Sequence, residues 1–295
     1  MDGAERDLLA ATVAEAVQRP DVDEALAQIG WLEMLAAEPV VAVEVVFRAL
    51  GRADADASVL DDVVLAALGM EPGPERAAAL PCFASADTPG TSGLATARVR
   101  TATTLVVAGA AIPMSAVEAT PAQGIDPRLG LHAYRVEGVE PATAPWETAV
   151  AGGRVAVAHQ MAGACRAMLD LARTHALERT QFGRPIARFQ AVRHKLAEAL
   201  VAVEALDAVL TAADADPGPL TAALAKASAG RAARTVGTHC QQVLAGIGFT
   251  AEHPFHRYLK RTMVLDGLFG RADDIVRDVG HQLLGDRRVP TLIEL

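Results

Sequence analysis

The sequence predicts a mainly α fold with a small β domain set between two helical regions. Three observations carry this. Alanine is abundant and aromatics are only 4% of 295 residues, and alanine is the best helix former. Apolar residues recur three and four apart across residues 4–70 and again across 147–295, the spacing of one helical face. Between them, residues 71–146 are rich in proline and glycine and carry short β-branched stretches, the pattern of strands and turns. Half the residues are apolar, 51%, which is ample for a core divided over two or three domains.

The elements follow in order. Leu8, Leu9, Val13 and Val17 share one helical face, and Pro20 with Asp21 ends that helix. Asp21 or Asp23 caps the next run, which passes through Trp31, Leu32 and Leu35. Pro39 breaks that run or opens a new helix at its first turn. Val40, Val43, Phe47 and Leu50 again share a face, with Gly51 the expected stop. A short helix over Val59–Leu68 ends at Gly69. Strands are expected at Ala95–Thr101, Thr103–Val107 and Leu131–Val136, forming a reduced sheet too short to close a barrel. A long helix follows from Pro145 to Leu177, then a loop over 178–188. The next helix starts near Phe189 with one stripe: Val192, Leu196, Leu200, Val203, Leu206 and Leu210. After a turn at Asp214–Pro219 come helices over Leu220–Leu244 and Phe255–Leu284. Four long amphipathic helices with short loops predict an antiparallel four-helix bundle. The expected domains are therefore 1–70, 71–146 and 147–295.

The formal net charge of −9 and a pI near 5.4 argue against a nucleic-acid surface, which needs a basic stripe. No apolar run reaches the eighteen residues of a membrane span, and the first residues lack the pattern of a signal peptide. Cys82, Cys165 and Cys240 are odd in number and have no metal-ligand spacing. They read as core thiols in a reducing cytoplasm, with no metal expected.

Two segments carry chemistry. The loop Arg179-Thr180-Gln181-Phe182-Gly183-Arg184-Pro185-Ile186, followed by Phe189-Gln190, sets arginines, an amide, an aromatic and a glycine between two helices. Arginine's planar fork suits phosphate oxygens, and glycine allows close backbone approach. A helix-connecting loop with surface arginines explains the same residues about as well. The second segment is Gln241-Gln242-Val243-Leu244-Ala245-Gly246-Ile247-Gly248-Phe249-Thr250, a helix ending in small residues. It follows no strand, which disfavours a Rossmann reading, and a glycine helix stop is its plain alternative.

Together the two segments resemble the acyl-CoA dehydrogenase family. The first is similar to its R-x-Q-F-G-x-P-I…F-Q signature. The second, running on through Glu252, His253, Tyr258, Lys260 and Arg261, is similar to Q-x-x-G-G-x-G-x-T in the variant of actinobacterial enzymes for steroid and branched acyl-CoA substrates. The resemblance implies an acyl-CoA dehydrogenase-like fold with a truncated N-terminal helical domain, a reduced central β domain and a C-terminal four-helix bundle. It implies desaturation of an acyl-CoA thioester with FAD as cofactor. It also implies that Arg179, Gln181, Phe182, Gln242 and Gly246 hold the nucleotide half of FAD across a subunit interface. Ala245 stands where the family has a glycine.

The resemblance also marks what is missing. The two positions at which the family carries its catalytic glutamate fall on Gly270 and Gly153, and an acid common on the same helix falls on Gln160. None abstracts a proton, so no catalytic residue is expected. His159 and Gln160 are expected on the cofactor side of their helix. The leading expectation is a non-catalytic subunit that completes the FAD site of a full-length acyl-CoA dehydrogenase in an α2β2 heterotetramer. A stand-alone flavoenzyme with Asp266 or Glu147 as a relocated base is one alternative. A flavin-free scaffold that binds acyl-CoA or protein is the other.

Overall fold

The computed structural model describes residues 3–138 and 145–287. Five helices come first: α1 (Gly3–Ala16), α2 (Val22–Gln28), α3 (Trp31–Ala37), α4 (Pro39–Ala53) and α5 (Leu60–Ala67). Asp21 caps α2 by accepting the Glu24 N–H at 3.0 Å. The expected single run through Trp31 is split, because Gly30 turns the chain at φ +83. Pro39 opens α4 at its first position, where it loses no hydrogen bond.

Two three-stranded sheets follow, where one reduced sheet was expected. In the first, β1 (Arg76–Ala78) lies parallel to β3 (Thr104–Val107), which pairs antiparallel with β4 (Ala110–Pro113). In the second, β6 (His132–Val136) lies between β2 (Ser92–Ala95) and β5 (Val117–Pro121), all antiparallel. The expected strand over Ala95–Thr101 stops at Ala95. Residues 97–100 instead form a 3₁₀ turn, because Arg98 is drawn inward to Asp62.

The remainder is α6 (Trp146–Glu178), a two-residue hairpin of β7 (Thr180–Gln181) and β8 (Arg184–Pro185), α7 (Gln190–Ala215), α8 (Pro219–Leu244), α9 (Phe255–Asp266) and α10 (Ala272–Asp286). The expected helix over Phe255–Leu284 is thus broken between Gly267 and Arg271. Among the described residues, no helix is long and apolar enough to cross a membrane. Cys165 and Cys240 are buried as expected, but Cys82 is exposed, on the loop after β1.

Gly51 does not stop α4; it seats it. A Cβ at Gly51 would collide with the backbone carbonyl of Gln160 on α6, and one at Gly163 with that of Arg48 on α4. Two bare backbones therefore cross in contact, joining the first helices to the bundle. Arg261 of α9 ties three segments together. Buried to 1% exposure, it donates to Asp126, to Asp56 and to the Ala55 carbonyl at 3.0 Å. Arg128 adds a bond to Asp54 at 2.6 Å.

A second buried network joins α5 to the sheets. Asp62 accepts from Trp31 Nε1 at 2.9 Å and from both terminal nitrogens of Arg98, at 2.5 and 2.9 Å. Asp61 accepts from the Ala78 N–H at 2.5 Å and from the Thr96 hydroxyl. Burial pushes the Asp61 carboxyl up to about 6, with Arg98 pulling the other way.

Two outcomes are expected. Gly51→Val and Gly163→Val each lower the denaturant midpoint by the equivalent of about 3 kcal/mol or more, whereas Gly280→Ala, with open space around it, does not. Asp61 holds its proton in the folded chain to higher pH than in the unfolded chain. Its contribution to stability is therefore full below pH 4 and lost as pH rises toward 6. Urea titrations of Asp61→Asn at several pH values should lack that decline, so the variant gains on the parent between pH 4 and 6.

Candidate functional site

The loop singled out in the sequence is a tight hairpin. Thr180 and Gln181 pair with Pro185 and Arg184, and the turn residues Phe182 and Gly183 sit at φ +53 and +77. Two positive φ angles give the twist that suits a two-residue hairpin. Glycine adopts this freely, but for Phe182 it is strained. The strain carries the Phe182 ring outward to 91% exposure. It meets Phe189 edge to face at 6.0 Å, and the Arg184 guanidinium lies 4.5 Å over the Phe189 ring. The Ile186 N–H donates to the Arg179 carbonyl at 2.8 Å and closes the base. Arg179 and Gln181 are exposed.

The second segment leaves α8 through a 3₁₀ turn over Ala245–Phe249. Ala245 has φ +52, the conformation that favours the glycine expected at this place. Gln242 and Gly246 are exposed, and nothing lies within 4 Å of a Cβ built on Gly246. Among the described residues no hydrogen bond or ion pair joins the two segments. A groove of about 420 Å³ between the end of α6 and the start of α9 is lined by His175, Glu178, His253 and Tyr258, and by no residue of either segment. Burial lowers the pKa of both histidines, helped by Arg179 at His175 and by His175 at His253.

A guanidinium, an amide, an exposed ring and open backbone suit a phosphate joined to an aromatic base. That chemistry fits the ADP half of FAD. The two positions that the resemblance assigns to the catalytic base are both glycines, and they are packed differently.

A Cβ at Gly153 would run into the ring of Phe269, which is buried against α6. A Cβ at Gly267 would run into Phe83, whose neighbour Ala84 donates its N–H to the Gly267 carbonyl at 2.8 Å. Arg271 lies 5.6 Å over the Phe83 ring. The loop between α9 and α10 is gripped from below. Lys226 of α8, fully buried, donates from Nζ to the carbonyls of Asp266 at 2.8 Å and Gly270 at 3.1 Å. Arg154 Nε donates to the Phe269 carbonyl at 3.0 Å. Burial lowers Lys226 to about 8, with Asp266 opposing that fall. Gly270 itself sits at φ +96.

Both candidates for a relocated base line cavities, Asp266 one of about 670 Å³ and Glu147 one of about 390 Å³. Asp266 lies 3.6 Å from Lys226 and 3.8 Å from Arg234, and accepts the Ala272 N–H at 3.3 Å at the start of α10. Glu147 is exposed in the first turn of α6. His159 and Gln160, expected on the cofactor side of their helix, are both buried. His159 is buried between Arg48, which donates to Nδ1 at 3.2 Å, and Asp214, 3.1 Å from Nε2. The Gln160 backbone packs on Gly51. The reason in both cases is the close crossing of α4 over α6.

Lys226, Arg154 and Phe83 were not singled out from the sequence. Lys226 is one of three lysines in the chain, and it lies four residues from both Ala222 and Gly230. That spacing puts it on the small-residue face of α8, and it is the signal that marks it as buried.

A family profile for the acyl-CoA dehydrogenase C-terminal domain matches residues 146–284. Among curated proteins, acyl-CoA dehydrogenase FadE34 of Mycobacterium tuberculosis is 42% identical over 130 residues, covering 42% of this chain and 18% of FadE34. Acyl-CoA dehydrogenase IpdE2 of the same organism is 35% identical over 143 residues, covering 48% of this chain and 45% of IpdE2. The chain thus spans less than half the length of these relatives. Among solved structures, a variant of the Tcur3481-Tcur3483 steroid ACAD superposes with TM-score 0.81 at 20% identity, covering 97% of this chain and 99% of that one. The ChsE4-ChsE5 complex from Mycobacterium tuberculosis gives TM-score 0.74 at 23% identity, covering 99% of both chains. At such identities the likeness is one of fold. Residues 146–284 are thus similar in sequence to the acyl-CoA dehydrogenase C-terminal domain, and the chain as a whole shares the fold of the solved neighbours.

Proposed function

We propose that this chain is the subunit without a base in a FAD-dependent acyl-CoA dehydrogenase, one that introduces an α,β double bond into a steroid-derived acyl-CoA thioester in the cytoplasm. A full-length partner supplies the base and the flavin-ring pocket, in an α2β2 assembly. The observation that carries this reading is the Phe269 ring lodged against Gly153, under a loop held by Lys226 and Arg154. The two positions expected to carry a carboxylate are glycines, and a Cβ at Gly153 would meet the Phe269 ring.

FAD, when bound, supplies the hydride acceptor. This chain contributes the far end of its site. Arg179 and Gln181 hold phosphate oxygens, Phe182 offers a ring face, and Gln242 and Gly246 offer an amide and open backbone. The exposure of all five supports a role completed by another subunit. The names of the relatives and of the steroid ACAD neighbour support the substrate class. The two-component names of both structural neighbours support a heteromer.

Expressed alone, the chain should be colourless and inactive. Coexpressed with a full-length homologue it should give a yellow, active complex with fewer flavins than chains, counted from absorbance and total protein. Arg179→Ala in that complex should weaken flavin retention about tenfold to a hundredfold, the loss of one charge-assisted hydrogen bond. An active, flavin-loaded preparation of this chain alone overturns the proposal. Gly153→Glu should restore no activity and should lower the melting temperature, because its Cβ meets Phe269.

A further inference from the structure

We infer that the cavity between α6, α8 and α10 binds a free α-amino acid with an apolar side chain. The inference is independent of the flavin reading. The cavity holds about 390 Å³, a volume typical of small-molecule sites. Val150 and Ala151 line it from α6, Leu220 from the first turn of α8, and Ile275 and Val279 from α10. These walls are aliphatic, and the polar groups among them are few and charged. Arg154, Glu147 and Asp278 complete the lining with both signs of charge.

Arg154 is half-buried, and its Nε donates to the Phe269 carbonyl at 3.0 Å. Among the described residues its two terminal nitrogens have neither a hydrogen bond nor a carboxylate. Every other described arginine that is at least partly buried has a carboxylate partner, as Arg98 has Asp62 and Arg261 has Asp56. A guanidinium drawn out of bulk water is costly without a counter-charge, and an anion in the cavity supplies one. The start of α8 favours the same anion. That helix is 26 residues long and opens at Pro219 with no side chain capping it, so its end carries partial positive charge.

The acids exclude a simple anion. Asp278 is exposed and has no side-chain hydrogen bond or ion pair among the described residues. Its charge reaches Arg154, where it opposes the lowering that burial causes. Glu147 sits in the first turn of α6, where the helix end accounts for an acid. A carboxylate alone would meet Arg154 but face two acids. An amine alone would meet the acids but face the guanidinium. An α-amino acid carries both charges on one carbon. Its carboxylate meets Arg154 and the α8 end, its ammonium meets Asp278, and its side chain lies on the aliphatic walls.

The test is equilibrium dialysis of the full chain against radiolabelled L-leucine and L-phenylalanine, with no flavin or partner added. At least one should be retained one to one with a Kd below about 1 mM. Glycine, the deaminated acid and the decarboxylated amine of the retained amino acid should each compete at least about tenfold more weakly. Asp278→Asn removes no contact in the fold. It should weaken the amino acid about tenfold to a hundredfold, the loss of one charge-assisted hydrogen bond, and should not weaken the deaminated acid. Ala151→Leu projects into the cavity and should abolish retention. Failure to retain either amino acid overturns the inference. So does a deaminated acid that competes as well as its parent, or unchanged retention by Asp278→Asn or by Ala151→Leu.

Discussion

One buried ammonium group governs the shape of the pocket. Lys226 has no access to water, and burying a cation is expensive unless it is bonded on every side. It meets that demand with two backbone carbonyls and a carboxylate, all taken from the short segment between α9 and α10. Holding Asp266 and Gly270 at one point forces the chain to turn there, so a single helix over 255–284 is excluded. The turn in turn directs Phe269 against Gly153. Where the family resemblance places its catalytic acid, this chain sets the buried Lys226 and the half-buried Arg154 against carbonyl oxygens.

The surfaces left for function are consequently on the outside. The hairpin at Phe182 is strained and exposed, while the interior around Phe269 is closed. Proteins keep strained backbone where it serves binding, and here that strain lies on the rim and not in the pocket. The crossing of α4 on α6 through Gly51 and Gly163 fixes the frame on which the rim is mounted. It also accounts for His159, which neutralises nothing in a pocket but sits between Arg48 and Asp214 across three helices.

Much of this was legible in the sequence because helix periodicity is a local signal. The first three bundle helices, a boundary at Pro39 and the loop between α6 and α7 all follow from spacing and turn residues. What was misread depends on partners far away in the chain. Gly51 reads locally as a stop, and only the backbone of Gln160 makes it a contact. Ala95–Thr101 reads as a strand, and only the pull of Asp62 on Arg98 coils it. The continuous helix over 255–284 is broken by a lysine some forty residues upstream. The glycines at 153 and 270 were recognisable as departures from the family pattern, but the aromatic that fills the space beside them was not.

The Arg261 tie has a consequence for synthesis on the ribosome. Asp54, Asp56 and Asp126 emerge well before their cation, which lies 205 positions beyond Asp56. Until α9 has left the exit tunnel, the nascent chain carries an acidic cluster offset by Arg128. The bonds from Arg261 to Asp56 and Asp126 therefore close only after these segments have been made and α9 has followed them out.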